Sequence, residues 1–198
     1  AITVGASTNR HVYYQSIRIT GPGVPADLQR INTYFGDGPR PDPGLSLKVV
    51  DVTTLGDNGE ACSPLAAGSL NGAIALIQRS ENCLFATKIN NAQKGGAAGV
   101  ILYQPVGVNG TFPINGVNQT GIPAALIGST VGLSLKSYIA QQPSARATLD
   151  PSLTEVPALS IDVNTMAFFS SRGPSTGLSR IKPEPVSYTH LTLPTNRE

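Results

Sequence analysis

The chain has 198 residues, of which 40% are apolar and only 13% charged, with 21 Gly, 16 Pro, no Trp and a formal charge of +2. That length suits one sizeable domain, or one domain with pieces of another. The apolar content excludes a disordered chain, the low charge disfavours a cytosolic helical protein, and the absence of a basic run removes the electrostatic footprint of nucleic-acid binding.

The opening "AITVGAS" reads as a short buried strand entering a turn, without the charged start of a signal peptide. It has no initiator Met, so the reading is of a chain that begins inside a longer protein. "HVYYQSIRIT" sets Val12, Tyr14, Ser16 and Arg18 against Tyr13, Gln15, Ile17 and Ile19, a half-exposed strand ended by "GPGVP". Residues 36–44, "GDGPRPDPG", are read as loop or boundary.

The centre carries stronger patterns. "GAIALIQR" (72–79) is a continuous apolar run, as in a strand buried on both faces. In "CLFATKINNAQKGG" the residues Phe85, Ile89 and Ala92 share one helical face, Lys88 and Lys94 avoid it, and Gly95-Gly96 supplies a left-handed stop. "AAGVILYQ" (97–104) is a second buried strand, which completes a right-handed βαβ unit. "NGTFPINGVNQTG" reads as a solvent-facing loop holding two glycosylation triplets, at Asn109 and Asn118, of a kind that chance supplies easily in such a composition.

"IPAALIG" follows as a third apolar strand. "STVGLSLKSYIAQQ" is a second helix, capped by Ser129 or Thr130, with Val131, Leu135, Tyr138 and Ile139 on its apolar face and Gly132 weakening it. "ARATLD" and "ALSIDV" are later strands. Residues 186–198, "VSYTHLTLPTNRE", lack core periodicity and back-translate to a string resembling a sequencing-library adapter. They are set aside from fold reasoning, and His190 with them, which leaves His11 as the sole histidine.

Little in the chain points to catalysis. A nucleophile needs an adjacent base, and His11 has no acidic neighbour, while no Gly-x-Ser-x-Gly elbow exists. Ser170-Ser171-Arg172-Gly173-Pro174 reads as a turn, with Arg172 paired to a carboxylate or solvated. Asp37, Asp42, Asp51, Asp57 and Glu60 are scattered over loops, and "DNGE" (57–60) lacks most ligands of a calcium loop, so no metal or cofactor is expected. Gly95-Gly96 ends a helix, whereas a phosphate loop begins one. Cys62 and Cys83 are not CxxC and stay open between two buried thiols and a bridge, which would close a loop of about 20 residues and stabilise by roughly 3 kcal/mol.

Two stretches resemble known families. Gly72, Ile74, Leu76, Arg79, Cys83, Phe85, Lys88, Ala92, Gly96, Ala97, Gly99, Val100 and Ile101 match the signature of the protease-associated (PA) domain. The resemblance implies that the motif cysteine Cys83 pairs with the upstream Cys62 in a disulfide. At the ends, "ITVGAST" and "FFSSRGPS…IKPE" resemble segments of subtilisin-like serine proteases that commonly bracket a PA insert, although Phe168-Phe169 stands where Ser-Phe is usual.

The resemblance implies an α/β fold: a PA-type β-sheet or open-barrel domain flanked by helices, plus strand fragments of a subtilisin-like parallel α/β domain. It places a catalytic-domain fragment at 1–20, a linker at 21–44, the PA domain at 45–152, the resumed catalytic domain at 153–185 and the adapter-like tail at 186–198. The family's Asp, His, oxyanion Asn and nucleophilic Ser have no counterpart here, so no residue is assigned as catalytic, cofactor-binding or metal-binding. The chain is then an interior section of a secreted serine endopeptidase, inactive alone, with protein or peptide substrates as partners of the parent, no nucleic acid and no membrane span. The competing readings are a PA module of a zinc peptidase or sorting receptor, and a free-standing α/β binding domain.

Overall fold

The computed structural model describes residues 5–6, 11–42, 46–157 and 186–187. Two units share them: Ala1–Tyr13 with Glu155–Glu198, and Tyr14–Thr154. In the first, strand β1 (Gly5–Ala6) pairs in parallel with β9 (Val186–Ser187). Tyr13, near the end of this unit, donates its hydroxyl to Glu155 at 3.3 Å. The remaining subtilisin-like segments, including Phe168-Phe169, Ser170–Pro174 and "ALSIDV", lie outside the described residues.

The second unit is built on a closed seven-stranded barrel in the order β2-β3-β7-β6-β5-β4-β8. The strands are β2 (His11–Thr20), β3 (Ile31–Phe35), β4 (Ser46–Asp51), β5 (Ile74–Gln78), β6 (Gly99–Tyr103), β7 (Ala124–Ile127) and β8 (Arg146–Pro157). Helices α1 (Ala26–Gln29), α2 (Phe85–Lys94) and α3 (Ser129–Gln141) complete it, with a 3-10 turn at Val52–Leu55.

Strands β4 to β7 run parallel, and β8, β3 and β2 join antiparallel. The apolar runs explain the parallel part. Ile74, Leu76, Ile101, Tyr103, Ala125 and Ile127 enter one core, while Ala75, Ile77, Val100, Leu102, Ala124 and Leu126 enter a second. Successive side chains of a strand point to opposite faces, so burial on both sides demands an unbroken apolar sequence. The first core takes Leu135, Tyr138 and Ile139 from α3, and the second takes Ile89 and Ala92 from α2. Each such Leu or Ile contributes roughly 1.5–3 kcal/mol through burial.

Four expectations need correction. The barrel is closed rather than open, because β3 bridges β2 and β7. Residues 21–44, read as a linker, contain that strand. Its buried Ile31, Thr33 and Phe35 alternate with outward residues, but five residues between Gly/Pro-rich flanks are too few to stand out. The loop at 109–121 is not simply solvent-facing, since Ile114, Val117 and Thr120 are buried.

The start of α3 has no cap from Ser129 or Thr130. Its first donors go instead to a distant loop: Ser129 N–H to the Val108 carbonyl at 2.9 Å, and Thr130 N–H to Asn109 Oδ1 at 2.9 Å. By contrast, α2 stops as read. Gly96 takes a left-handed φ of 97°, and a side chain there would run into Asn71.

Candidate binding ledge and its anchor

The register of the parallel strands aligns Gln78, Tyr103 and Ile127 at their C-terminal ends. The loops leaving β5 and β6 form a ledge here.

Arg79 organises the ledge. Its N–H donates to the Tyr103 carbonyl at 2.8 Å, and its Nη1 donates to Gln104 Oε1 at 3.2 Å. Buried Gln104 then donates from Nε2 to the Gly110 carbonyl at 2.7 Å, which braces the second loop that Arg79 ties to the first. The guanidinium lies 5.6 Å from the centre of the Phe112 ring, and Phe85 meets that ring edge-on at 6.5 Å. Leu84 and Val106 are each 77% exposed. Residues 79–85 line a cleft of about 390 Å³. An exposed apolar surface beside a fixed cation is equipped to bind.

Beneath the ledge sits an anchor. The Cys62–Cys83 disulfide joins the turn before β5 to the loop after it, with the Cα atoms 5.7 Å apart. Lys88 was expected off the apolar face of α2, but it lies three residues after Phe85 and four before Ala92, borders that face, and is wholly buried. Its ammonium donates to the Glu60 carbonyl at 2.8 Å, to Ser80 Oγ at 2.8 Å and to Cys62 Sγ at 3.5 Å. Its charge argued for an exposed position, but helical spacing sets it beside Phe85 and Ala92, and the 60–62 turn supplies the acceptors that allow its burial.

Burial pulls the Lys88 ammonium below its usual range, opposed by the charges of Glu60 and Asp57. The Asn82 amide, donating at 2.7 Å, holds the Glu60 carboxyl below its ordinary value. Asn91 donates to the Ala61 carbonyl at 2.9 Å, and Asp57 accepts from the N–H groups of Gly59 and Ala61 at 2.7 and 2.8 Å. These bonds hold Ala61 in a left-handed conformation, φ 51°, that is costly for a residue with a Cβ. Arg79, Cys83 and Lys88 of the PA-like signature therefore serve the scaffold of the ledge. The sequence offered one hint of this role: a lysine inside a stretch otherwise bound to the core.

The acidic residues do not converge. Asp51 pairs with Lys136 at 3.1 Å, and Asp37 accepts from Gly116 and Val117 at 3.0 and 2.8 Å. Among the described residues no three His, Cys, Asp or Glu gather as metal ligands, and no helix is long and apolar enough to cross a membrane.

Comparison with known proteins agrees with this architecture. Residues 45–135 match the model of the PA domain, so a PA domain is present. RING finger protein 148 of Bos taurus is 34% identical over 116 residues, covering 56% of this chain and 38% of its own. Subtilisin-like protease SBT1.5 of Arabidopsis thaliana is 29% identical over 198 residues, covering 93% of this chain and 24% of its own. PII-type proteinase of Lactococcus lactis subsp. cremoris is 30% identical over 187 residues, covering 93% and 10%. The chain thus spans well under half the length of these relatives. Among solved structures, the zinc aminopeptidase BSAP of Bacillus subtilis superposes with a TM-score of 0.45 at 20% identity, over 80% of this chain and 33% of its own.

Proposed function

We propose that the chain is a section of a secreted subtilisin-like serine endopeptidase, in which the PA domain governs the access or binding of a protein or peptide substrate. The observation that carries this reading is the extent of similarity. The two subtilisin-type and PII-type relatives align along 93% of the chain, whereas the RING finger relative aligns along 56%. The disulfide favours an oxidising, extracellular setting.

In the parent, peptide cleavage would proceed by acyl transfer through a Ser-His-Asp triad contributed by residues outside this chain. The contribution of this section is binding. Leu84, Val106 and Phe112 offer apolar surface to an extended peptide, and Arg79 holds Phe112 in place.

The test uses the complete reading frame, expressed and purified. A fluorophosphonate probe should label it and abolish peptide hydrolysis, and a chelator should leave the labelling intact. Hydrolysis lost to a zinc chelator, with no labelling, would replace this reading with that of a PA module in a zinc peptidase. For the ledge, Leu84→Ser with Phe112→Ser should raise KM for protein substrates on the order of tenfold and leave kcat for a dipeptide ester unchanged.

A further inference from the structure

We propose that the Cys62–Cys83 bond is a thiol-exchange site of fixed polarity: a small-molecule thiolate adds to Cys83, and Cys62 departs as a thiolate held by Lys88. The fold gives the two sulfurs different surroundings.

Cys83 faces the open side. Residues 79–85, Cys83 among them, line the cleft of about 390 Å³, and Cys62 has no part in it. Its chain neighbours Asn82 and Leu84 are exposed. Arg79 and Glu81 stand at the same cleft as a loose pair, 4.0 Å apart, so the approach carries no net charge.

Cys62 faces the buried side, with its Sγ 3.5 Å from the Lys88 ammonium. An ammonium has three N–H donors. Two go to the Glu60 carbonyl and Ser80 Oγ, each at 2.8 Å, and the third is left for the sulfur. A disulfide sulfur carries no charge and a thiolate does, so this contact strengthens as the bond opens. The Glu60 carboxylate, 3.7 Å from the same sulfur, opposes it. That carboxylate is partly exposed and held by Asn82, so water screens it, whereas the ammonium is wholly buried. Burial draws Lys88 toward its neutral form, and the charges of Glu60, Asp57 and the new thiolate draw it back.

In the first step the incoming thiolate forms an S–S bond to Cys83, the Cys83–Cys62 bond breaks, and its electron pair leaves on Cys62. A second thiolate then attacks the added sulfur and frees Cys83, so one protein disulfide is reduced while two small thiols are oxidised to a disulfide. The sulfur whose thiol has the lower pKa leaves faster, which selects Cys62. Opening the bond releases the 79–84 loop from the 57–62 turn.

The inference rests on the anchor alone and not on serine chemistry or location. The test incubates the oxidised full chain with excess glutathione, traps new thiols with N-ethylmaleimide, and maps the peptides without reduction. The expected adduct is glutathione on Cys83 and maleimide on Cys62. Lys88→Met should slow its formation on the order of three- to tenfold, and Glu60→Gln should hasten it. A purely structural Lys88 predicts the reverse, since a loosened anchor exposes the bond. In Cys83→Ser the Cys62 thiol should titrate below the roughly 8.5 of a free cysteine, and adding Lys88→Met should raise it. Glutathione on Cys62 or equally on both cysteines, no adduct, an unchanged or faster rate in Lys88→Met, or a Cys62 thiol at or above the free value overturns the proposal.

Discussion

A Cβ added to Gly132 of helix α3 would lie 2.3 Å from the Cβ of Tyr103 on strand β6, closer than two carbons can come. The helix rests on the strand at this point because one residue has no side chain. Glycine inside a helix ordinarily costs about 0.5–1 kcal/mol relative to alanine. Here the clash falls on a Cβ next to backbone, which cannot swing away, so the usual sign reverses. Gly132→Ala should destabilise by about 1–3 kcal/mol, the range for overpacking. The urea midpoint measures it, and an unchanged or raised midpoint would show that α3 can lift off β6 freely.

Lys88 is the next test. The native fold depresses its pKa, so between the folded value and the unfolded one near 10.4 the unfolded chain binds more protons. Burying the charge therefore opposes folding below the folded pKa, and this opposition fades as pH rises through it. The hydrogen bonds to Glu60 and Ser80 work the other way. Lys88→Ala, which leaves a cavity and three acceptors without their donor, should cost about 3 kcal/mol. Lys88→Met keeps the volume and should cost about 1–2 kcal/mol. Equal denaturation midpoints for the two variants would show that the cavity adds nothing.

The disulfide spans a sequence separation of 21 residues. Restricting the unfolded chain over that loop gives roughly 3 kcal/mol by the chain-entropy model. Paired Cys62→Ser and Cys83→Ser substitutions should lower stability by about that amount. Hydrogen exchange should quicken first in residues 57–62 and 79–84, while β6 and β7 keep their protection. Loss of protection throughout the barrel at native pH would mean that the bond holds more than the ledge.

Asp37 should respond to acid. Hydrogen bonds from the N–H groups of Gly116 and then Val117 hold its carboxyl below the ordinary carboxylate range. With the folded pKa depressed, the stabilising contribution is present above the unfolded pKa and is lost as pH falls through the folded one. The amide proton shifts of Gly116 and Val117 should titrate together, with a midpoint below that of a free aspartate. In Asp37→Asn that transition should vanish. Two different midpoints, or one persisting in the variant, would assign the transition to another group.

The central strands, both long helices and the stop at Gly96 were legible in the chain because each depends on residues within one element. A continuous apolar run can satisfy only a strand covered on both faces, and Phe85, Ile89 and Ala92 can align only on a helix. Cys62 and Cys83 could be named as partners through a resemblance, though spacing alone left them open. Tertiary structure alone decided the closure of the barrel by β3, the burial of Lys88 under the 60–62 turn, the capping of α3 by Asn109 and the need for glycine at 132. In each case the deciding atom belongs to a distant part of the chain, and periodicity reports only how a residue is oriented on its own element, not what packs against it.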